Sequence, residues 1–555
     1  MQYLGMIAGL LNRLGKIGVI VGFILGNAVL TYFANGNTLP IIAIREILIA
    51  SLGLLLLPKN IDIDISDIVG KTKLLPTTGG VLEAAKEETV HKLNSVSETI
   101  SEIAQSYKEV AATTIETDEE LKQDSKKAFK QSGWARTEKE KGVYDFAWLD
   151  EIVDHLRSRG LEPWLDLCYG NALYTELAKP VFGAVGCPPI MSEEEMQAWL
   201  RYVDATVRHF SGRITLYEIW NEPDNAFSWR HEEGDYKVNV KDNVRNAREY
   251  GIFATETAKA IKKADANARV AAGSIAHLEN LRYVNDILVT GLYRYIDAIT
   301  FHIYSSYDGE RQQNIEALRN LVDLYNPNIT LIQGEAGAQT RSDGNGAMKR
   351  FSWTKEKQLK YLLRTLICDL WCGVEFTSYF STMDMIEALR GRIADTATYL
   401  DYGYFGVLSA EFDENGHSTG EYGQKPSYYA LSTLASLMQG DAARYDMPWA
   451  REYLPSRRVN GVDCQDNTLK VYGFKLHDGR TALCYWNCVP LLTHTYEGTV
   501  SMSVYGQDNS RIRIIDLATG KIYKLSEEMI EDLGNGGVGL RNIPLTDTPL
   551  AVVFG

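Results

Sequence analysis

Between about residue 131 and residue 445 the sequence alternates regularly between two kinds of segment. Apolar runs of strand length are followed by stretches whose apolar residues recur every three or four positions, as in a helix packed on one side. The apolar runs are LEPWLDLCYGN, RITLYEIWNEPD, ARVAAGSIA, IDAITFHIYSS, ITLIQGEAG and VEFTSYFSTMD. Strands separated by helices pair in parallel, and this many repeats favours a closed (β/α)8 TIM barrel over an open sheet.

From residue 446 to residue 555 the helical patterns give way to short strand patterns. TLKVYGFKL, TALCYWNCV, TVSMSVYG, RIRIIDLATGKIYKL and PLAVVF have strand length, and DG, TG and GNGG turns separate them. This segment is predicted to form a β-sandwich domain that follows a barrel domain over 131–445.

The sequence shows no pattern for the first strand and first helix that a (β/α)8 barrel requires. The stretch SGWART at 132–137 is interpreted as the second strand, which a first strand and helix should precede. Residues 113–131 show a charged helical pattern instead. The predicted fold class is α/β: a (β/α)8 barrel whose first β/α unit is missing, with a C-terminal β-sandwich, preceded by a transmembrane helical hairpin and a long helix.

Residues 1–60 have the composition of a membrane segment. Ile17–Ala34 is an uncharged, mostly apolar run of about 18 residues, enough to cross a hydrocarbon core of ~30 Å. The second run, Ile41–Leu57, carries only Arg45 and Glu46 as charges. Basic residues flank the hairpin on both outer sides, which places both ends in the cytoplasm. We predict membrane localisation with the barrel on the cytoplasmic side. The alternatives are a buried helix pair or a signal peptide, and a hairpin that does not insert leaves the protein cytoplasmic.

The segment 61–130 is predicted to be a charged helical linker. Six of its apolar residues follow one another in steps of three and four: Leu93, Val96, Ile100, Ile103, Tyr107 and Val110. This spacing predicts one long amphipathic helix, which either pairs with another helix through residues 93–110 or packs on a neighbouring domain.

Polar side chains stand at the ends of the predicted strands, where TIM barrels carry their chemistry. Glu222 in EIWNEPD and Glu335 in LIQGEAG stand out, because their strands are three apart in order. Glycoside hydrolysis with retention needs two carboxyl groups ~5 Å apart, one to protonate the leaving oxygen and one to attack the anomeric carbon. The other candidates for the site, all of them sugar-binding, are Trp134, Arg136, Asn171, Asn221, His302 and Tyr304.

The tetrapeptide WNEP and the barrel around it resemble clan A glycoside hydrolases, most closely the family 39-like group with a trailing β-sandwich. The resemblance covers residues 132–555. It implies that Glu222 is the acid/base, that Asn221 bonds the sugar 2-hydroxyl, and that Glu335 is a nucleophile held by Tyr304. It also implies a β-linked or equivalent equatorial substrate, a protonated Glu222 and an ionised Glu335 near neutral pH.

The N-terminal part resembles a different family. Residues 1–113, including GLLNRLGKIGVIVGFILGNAVLTYFANGNTLP, look like the last membrane spans and linker of stage II sporulation protein E. That family continues into a metal-dependent phosphatase, whose acidic motifs this sequence lacks. We interpret the chain as a junction, near 113–131, between a sporulation-protein fragment and a glycosidase.

Several of these assignments have alternatives. Glu222 could cap the turn that follows it, Glu335 could be structural with Glu375 as its rival, and His302 could be a satisfied interior histidine. Trp164, Tyr174 and Trp229, like Trp134, could stack on sugar rings or belong to the core. Glu218 and Asp224 are expected at the surface or behind the groups that touch substrate.

Charge and cysteine content narrow the function. A net charge of −15 argues against nucleic-acid binding. The seven cysteines lack metal-ligand spacing, so Cys368, Cys372, Cys484 and Cys488 are expected to be buried thiols, and no cofactor or metal is predicted. The expected partner is a carbohydrate substrate. The competing functions are a membrane-anchored interaction protein with an inactive barrel and a sugar-binding module without turnover.

Overall fold

The computed structural model describes residues 133–178, 186–225, 228–229, 244–344, 346–349, 351–386, 402–413, 418–440, 442–452, 458–459, 462–463 and 468–555. These ranges belong to one compact unit, Ile115–Gly555. The predicted hairpin (1–60), linker (61–130), pairing seam (93–110) and sporulation-protein segment (1–113) lie outside the described residues. None of the described helices has both the length and the apolar character required to cross a bilayer.

Strands and helices alternate through the first part of this unit. The strands are β1 (Leu165–Leu167), β2 (Leu216–Ile219), β3 (Arg269–Ile275), β4 (Ala298–His302), β5 (Thr330–Ala336) and β6 (Thr377–Tyr379). The helices are α1 (Gly133–Thr137), α2 (Ala147–Ser158), α3 (Glu193–His209), α4 (Val244–Ala264), α5 (Leu281–Leu288), α6 (Arg311–Asp323) and α7 (Lys355–Trp371). All six strands pair in parallel in sequence order, as a half-barrel.

The prediction that SGWART forms a strand is wrong. Residues 133–137 form α1, in which the Glu138 amide donates to the Trp134 carbonyl at 2.8 Å. The indole Nε1 of Trp134 also donates to Glu138 Oε2 at 2.6 Å, an i,i+4 contact that suits a helix. Only the Trp134 amide reaches the sheet, at 3.2 Å from the Cys168 carbonyl. The described strands therefore form a six-stranded open sheet, where a nearly complete barrel was expected.

Local sequence signals place the longer helices correctly. Ser192 is the N-cap of α3, where its hydroxyl accepts from the Glu195 amide at 3.2 Å, and three glutamates fill the first turn. Thr354 caps α7 in the same way through the Lys357 amide at 3.3 Å. In sequence, these two capped helices flank the strands β2 to β5, whose carboxyl ends carry the polar side chains.

The half-barrel has an apolar outside and a mixed inside. On the outside, alternate strand residues pack on the helices, among them Val270, Ile299, Phe301 and Leu331. On the inside, the amino-terminal layer is apolar and consists of Leu216, Ala271, Ala298 and Ile332 with Trp164 and Phe376. Beyond this apolar layer, towards the carboxyl ends of the strands, the inside of the half-barrel carries polar side chains such as Glu218 and His302.

The rest of the unit is mostly antiparallel. Its small elements are β7 (Met385–Ile386) with β8 (Tyr402–Gly403), β9 (Leu408–Phe412) with β10 (Ser418–Gln424), and helix α8 (Pro426–Leu437). Then come β11 (Ala443–Arg444), β12 (Trp449–Arg451), β13 (Arg458–Val459), β14 (Val462–Asp463), β15 (Leu469–Lys475) and β16 (Thr481–Asn487). The last six are β17 (Glu497–Tyr505), β18 (Ile512–Asp516), β19 (Ile522–Lys524), β20 (Ile530–Gly534), β21 (Gly537–Thr546) and β22 (Leu550–Phe554).

The C-terminal strands form the two sheets of a sandwich. One sheet has the order β11-β15-β16-β22-β18-β19 and the other the order β12-β17-β21-β20. Tyr485 and Val552 of the first sheet meet Met502 and Leu540 of the second in one apolar core. The C-terminal sheets agree with the sequence prediction. The described cysteines are free thiols. Cys368, Cys484 and Cys488 are buried, as expected, whereas Cys372 is only partly buried.

The sandwich sheet β11-β15-β16-β22-β18-β19 is covered on its other face by helices α7 and α8. Trp486 and Val553 of the sheet share a core with Leu363 of α7 and Leu434 of α8. Within this contact Arg364 is wholly buried and donates to the Asp547 and Val489 carbonyls at 2.9 and 3.0 Å. The sheet thus has buried side chains on both faces.

Candidate active site

The two candidate glutamates meet at the carboxyl ends of β2 and β5. Glu222 follows β2 by three residues, and Glu335 is the sixth residue of β5. His302, the last residue of β4, is the register partner of Glu335 in the parallel pair β4–β5. These strand ends point the same way, so side chains far apart in sequence converge on one cleft.

A single imidazole nitrogen lies between the two carboxylates. His302 Nδ1 is 3.1 Å from Glu222 Oε1 and 3.7 Å from Glu335 Oε2. The sum of these two distances is the upper limit for the separation of the two oxygens. It lies at the lower edge of the ~6.5–9.5 Å found in inverting enzymes and leaves room for the ~5–5.5 Å of retaining ones. The expectation that both carboxyls reach one sugar-sized gap agrees with this geometry.

Each carboxylate has its own supporting contacts. The Tyr304 hydroxyl donates to Glu335 Oε1, as expected from the sequence. The side chain of Gln333 donates to the Glu335 carbonyl at 2.5 Å and fixes the strand there. On the other side, Asn225 Nδ2 lies 3.3 Å from Glu222 Oε2.

Asn221 lies beside Glu222 and is oriented by two neighbours. Its Nδ2 donates to the Tyr169 hydroxyl at 2.8 Å, and its Oδ1 lies 3.5 Å from the Ser274 hydroxyl. Asn221 is only partly buried, so its amide borders the cleft. Its predicted bond to a sugar hydroxyl stays a prediction.

Unusual backbone conformations aim these side chains. Trp220, Glu222 and Ser274 have positive φ values of 66°, 46° and 46°, which non-glycine residues adopt at a cost of about 1–3 kcal/mol each. At Ser274 the pairing of β3 with β4 shifts register, and the Ser274 amide donates to Thr300 Oγ1 at 2.8 Å. The shift turns the Ser274 hydroxyl inward, 3.1 Å from His302 Nε2.

The pKa shifts of the two glutamates in the free site run opposite to the sequence expectation. Burial tends to raise the pKa of Glu222, but the hydrogen bond and charge of His302 outweigh it and keep that pKa below its ordinary value. Burial raises the pKa of Glu335, and the more distant His302 only partly offsets it. Burial would lower the pKa of His302, yet Glu222 and Glu335 raise it to about 9. In the free site His302 therefore carries the proton expected on Glu222.

Three of the predicted sugar-binding residues have structural contacts instead. Trp134 is fully buried in α1, where it stacks on Tyr174 with ring centroids 5.5 Å apart. Asn171 is 2% exposed, and its Nδ2 donates to the Glu138 carbonyl at 2.9 Å. The guanidinium of Arg136 lies 4.1 Å from the centre of the Trp148 ring on α2. The assignments of Trp134 and Arg136 depended on a strand at 132–137, and residues 133–137 form a helix instead. Asn171 follows β1, as expected, but its side chain is buried against Glu138.

The remaining aromatic candidates and the rival glutamate also lie elsewhere. Trp229 is 1% exposed and packs edge-on against Trp220, and Trp164 belongs to the amino-terminal layer inside the half-barrel. Tyr174 donates to Glu138 Oε1 at 2.6 Å. Glu375 pairs with Arg269, the first residue of β3, at 2.6 Å. Glu375 therefore lies at the opposite end of the sheet from the cleft, as its sequence position indicated.

Sequence reasoning missed several groups around the glutamates. Ser274 and Tyr169 had no signal beyond their positions near strand ends. Glu218 and Asp224 are 4% and 1% exposed, which excludes the surface and leaves the other alternative, a position behind the candidate glutamates. Asp224 accepts from the Ala276 and His277 amides at 2.9 and 2.8 Å and holds the loop after β3 against the loop after β2. A carboxylate within an apolar strand run was the signal that could have placed Glu218 inside.

No cluster of three or more His, Cys, Asp or Glu side chains in the described ranges is arranged to hold a metal ion. What the cleft offers is two carboxyl groups in different environments, a cationic imidazole between them and a tyrosine hydroxyl on one of them. Such a set can move one proton and stabilise one new bond to carbon.

Fold and site together define a TIM-barrel-type protein with paired glutamates at the strand ends. Comparison with known families adds a closer assignment. Residues 89–318, less than half of the chain, match the model of Glycosyl hydrolases family 39. That region includes Glu222 and His302 but ends before Glu335. A search of curated proteins returned no match.

The fold is similar to that of a family 39 glycoside hydrolase from the gut symbiont Bacteroides cellulosilyticus WH2. The two chains are 18% identical, the TM-score is 0.51, and the match covers 76% of this chain and 74% of the other. At this identity the likeness establishes the fold. Two structures superpose less well: a GH39 enzyme from Xanthomonas axonopodis pv. citri, at 16% identity and TM-score 0.44, and a monomeric beta-xylosidase from Caulobacter crescentus CB15, at 15% and 0.42. The first match covers 74% of this chain and 83% of that one, the second 74% and 85%.

Proposed function

We propose that the chain is a retaining glycoside hydrolase in which Glu335 is the nucleophile and Glu222 the general acid/base. The observation that carries the proposal is the position of His302 Nδ1, 3.1 Å from one carboxylate and 3.7 Å from the other. The family 39 match over residues 89–318 supports the same class of reaction. The tyrosine bond to Glu335 supports the division of roles, because it stabilises a carboxylate that must be ionised to attack carbon.

The reaction has two steps. In the first, Glu335 attacks the anomeric carbon from one face of the sugar while the leaving oxygen takes a proton from Glu222. In the second, Glu222 removes a proton from water, and the water oxygen displaces Glu335 from the same carbon. Two inversions at one carbon give net retention of configuration.

The proton for the first step is held on the pair formed by His302 and Glu222. With the pKa of His302 raised to about 9, the ring is a cation at neutral pH and Nδ1–H donates to Glu222 Oε1. Movement of that proton along the 3.1 Å bond gives a neutral imidazole and a carboxylic acid. The pair therefore titrates as a unit and can supply a proton from Glu222 although the free carboxyl is ionised.

Release of nitrophenol from a panel of aryl β-glycosides tests the activity. We expect Glu222→Gln to lower kcat by about 10²–10⁴-fold, the usual contribution of a general acid/base, and Glu335→Gln to lower it at least as much. The matched control is Glu375→Gln, since Glu375 lies at the opposite end of the sheet. Wild-type protein without turnover on any member of the panel, or glutamate variants as active as Glu375→Gln, would contradict the proposal.

Rescue with azide separates the two roles. In Glu222→Ala, azide can attack the glycosyl-enzyme where water attacked and give a glycosyl azide of retained configuration. In Glu335→Ala, azide can take the place of the missing nucleophile and give a glycosyl azide of inverted configuration. Proton NMR of the products distinguishes the two. The opposite assignment of products to variants would exchange the roles of the two glutamates.

Membrane attachment is a separate proposal that depends only on the sequence of residues 1–60. Its support is the pair of apolar runs with basic residues on their outer sides. The full chain is expected in the membrane fraction after alkaline carbonate washing, with the barrel open to protease from the cytoplasmic side. A chain beginning at residue 131 is the control, and equal solubility of the two would exclude the anchor.

A further inference from the structure

Two acidic residues lie inside the half-barrel below the candidate glutamates, and the reaction above does not use them. Asp166 in β1 and Glu218 in β2 are register partners in the parallel pair of these strands. Register partners in parallel strands point to the same side of the sheet. The neighbours of Glu218 in sequence, Tyr217 and Ile219, are in the outer core, so Asp166 and Glu218 face inward.

One oxygen of each of these two carboxyl groups is buried without a hydrogen-bond partner. Glu218 is 4% exposed, and its Oε1 is buried without a hydrogen-bond partner. The same is true of Asp166 Oδ1, whereas Asp166 Oδ2 accepts from the Cys168 thiol at 3.1 Å. Two like charges buried on neighbouring strands cannot both be ionised at low cost, so protonation of one of the two carboxyl groups relieves the repulsion.

Glu218 is close to the histidine that bridges the site. Gly334 has no side chain, and a Cβ built there would lie 3.1 Å from His302 Nε2 and 3.5 Å from Glu218 Oε1. The imidazole and the Glu218 carboxyl therefore both border the small gap that the missing Cβ leaves. In His302 one nitrogen faces Glu222, and the other faces Ser274 and this gap.

We propose that Glu218 is a positioning residue for the proposed hydrolase site, which acts through the neighbouring ring of His302. When the Glu218 carboxyl loses its proton in alkali, its negative charge holds the proton on His302 that Glu222 donates. This charge extends the working range of the site to higher pH. The effect of Glu218 on turnover rests on the proposed function, whereas the effect of Glu218 on His302 does not depend on any substrate.

The surroundings of Glu218 agree with this role. The titratable groups around Glu218 are Asp166 of β1, Cys168 directly after β1, His302 of β4, Glu335 of β5 and the Tyr250 hydroxyl of α4. His302 is the one cation in this group of described residues. Burial, and after it the charge of Asp166, raises the pKa of Glu218 to about 8. In turn, the charge of Glu218 is one of the groups that raise the pKa of His302.

The test is an NMR titration of the His302 ring in the wild-type protein and in Glu218→Gln. The glutamine keeps the shape of the side chain but never ionises, so the midpoint of His302 is expected to fall by about one pH unit. The alkaline limb of kcat/KM should move down with it, while kcat near neutral pH changes little. Glu195→Gln is the matched control, because Glu195 is a buried glutamate on α3. It should leave the His302 midpoint unchanged.

A second variant tests the inference if Glu218→Gln folds poorly. Asp166→Asn removes the charge that raises the pKa of Glu218, so the Glu218 carboxyl carbon should titrate at lower pH than in the wild type. An unmoved His302 midpoint in Glu218→Gln, or an unmoved Glu218 midpoint in Asp166→Asn, overturns the inference. Absence of turnover with the expected midpoint shifts would instead count against the proposed hydrolase alone.

Discussion

At the scale of single residues, Tyr304 offers a direct test of the environment of Glu335. Burial raises the pKa of Glu335, and the Tyr304 hydroxyl is one of the groups that lower it. Tyr304→Phe should therefore raise this pKa further and move the acidic limb of the kcat/KM profile to higher pH. Loss of one hydrogen bond to a charged group, about 1.5–3 kcal/mol, predicts a fall in kcat of about 10–100-fold.

Tyr325→Phe provides the control for that experiment. The Tyr325 hydroxyl donates to Asn285 Oδ1 at 2.7 Å, a bond between the helical layer and its loop that is remote from the cleft. It should leave both limbs of the profile in place. If the acidic limb is also unmoved in Tyr304→Phe, the hydroxyl does not stabilise the ionised Glu335.

Whether the sequence could predict a site residue depends on the local structure that positions that residue. Glu222, Glu335, His302 and Tyr304 lie at strand ends, and a rule about strand ends finds them. Ser274 reaches His302 only through a register shift and a positive φ, which no sequence pattern indicated. The pKa shifts of the two glutamates run opposite to the prediction, because they depend on which carboxylate lies nearer to His302.

At the scale of helices and strands, a buried ion pair joins three elements behind Glu335. Arg311 of α6 binds Asp369 of α7 at 2.7 and 2.8 Å, and both side chains are almost completely buried. Arg311 also donates to Gln333 of β5 at 3.1 Å, and Gln333 holds the Glu335 carbonyl. The network therefore connects two outer helices to the strand that carries the candidate nucleophile.

Asp369→Asn should be strongly destabilising. It leaves the buried guanidinium of Arg311 without its counter-charge, and loss of one partner of such a pair costs about 3–5 kcal/mol of unfolding free energy. Urea unfolding followed by circular dichroism measures the change. The control is Asp323→Asn, which breaks the partly exposed pair of Arg319 and Asp323 on α6 and should cost about 1 kcal/mol or less. Equal effects of the two variants would contradict the argument.

The sequence predicted most of these elements, and the failures have a common cause. Helices with clear caps, such as α3 after Ser192, were found because the cap residue itself is the signal. SGWART was assigned to a strand because the barrel needed one there, and the local bond of Trp134 to Glu138 was overlooked. An expectation taken from the fold replaced the local evidence at that point.

At the scale of the whole molecule, the sequence predicted both the half-barrel region and the sandwich but not how they join. Short alternating strands were sufficient to identify the sandwich. Nothing in them indicated that Trp486 and Val553 face helices and that Tyr485 and Val552 face the second sheet. A strand that is buried on both sides reads as a continuous apolar run, which also suits other arrangements.

The shared core predicts that the half-barrel and the sandwich unfold together. Trp486 is 1% exposed, tilted against Tyr472 at 5.2 Å, and part of the core formed with α7 and α8. Trp486→Ala should lower the unfolding free energy by about 3–5 kcal/mol. Trp449→Ala is the matched control, because Trp449 lies on β12 of the other sheet and is 37% exposed.

If the core is continuous, Trp486→Ala shifts one cooperative transition to lower denaturant concentration. The shift is then the same by far-ultraviolet circular dichroism and by hydrogen exchange in β3–β5. Two transitions, with β3–β5 unaffected by the variant, would mean that the sandwich folds independently of the half-barrel. The contact of the sandwich sheet with α7 and α8 would then add nothing to the stability of the cleft.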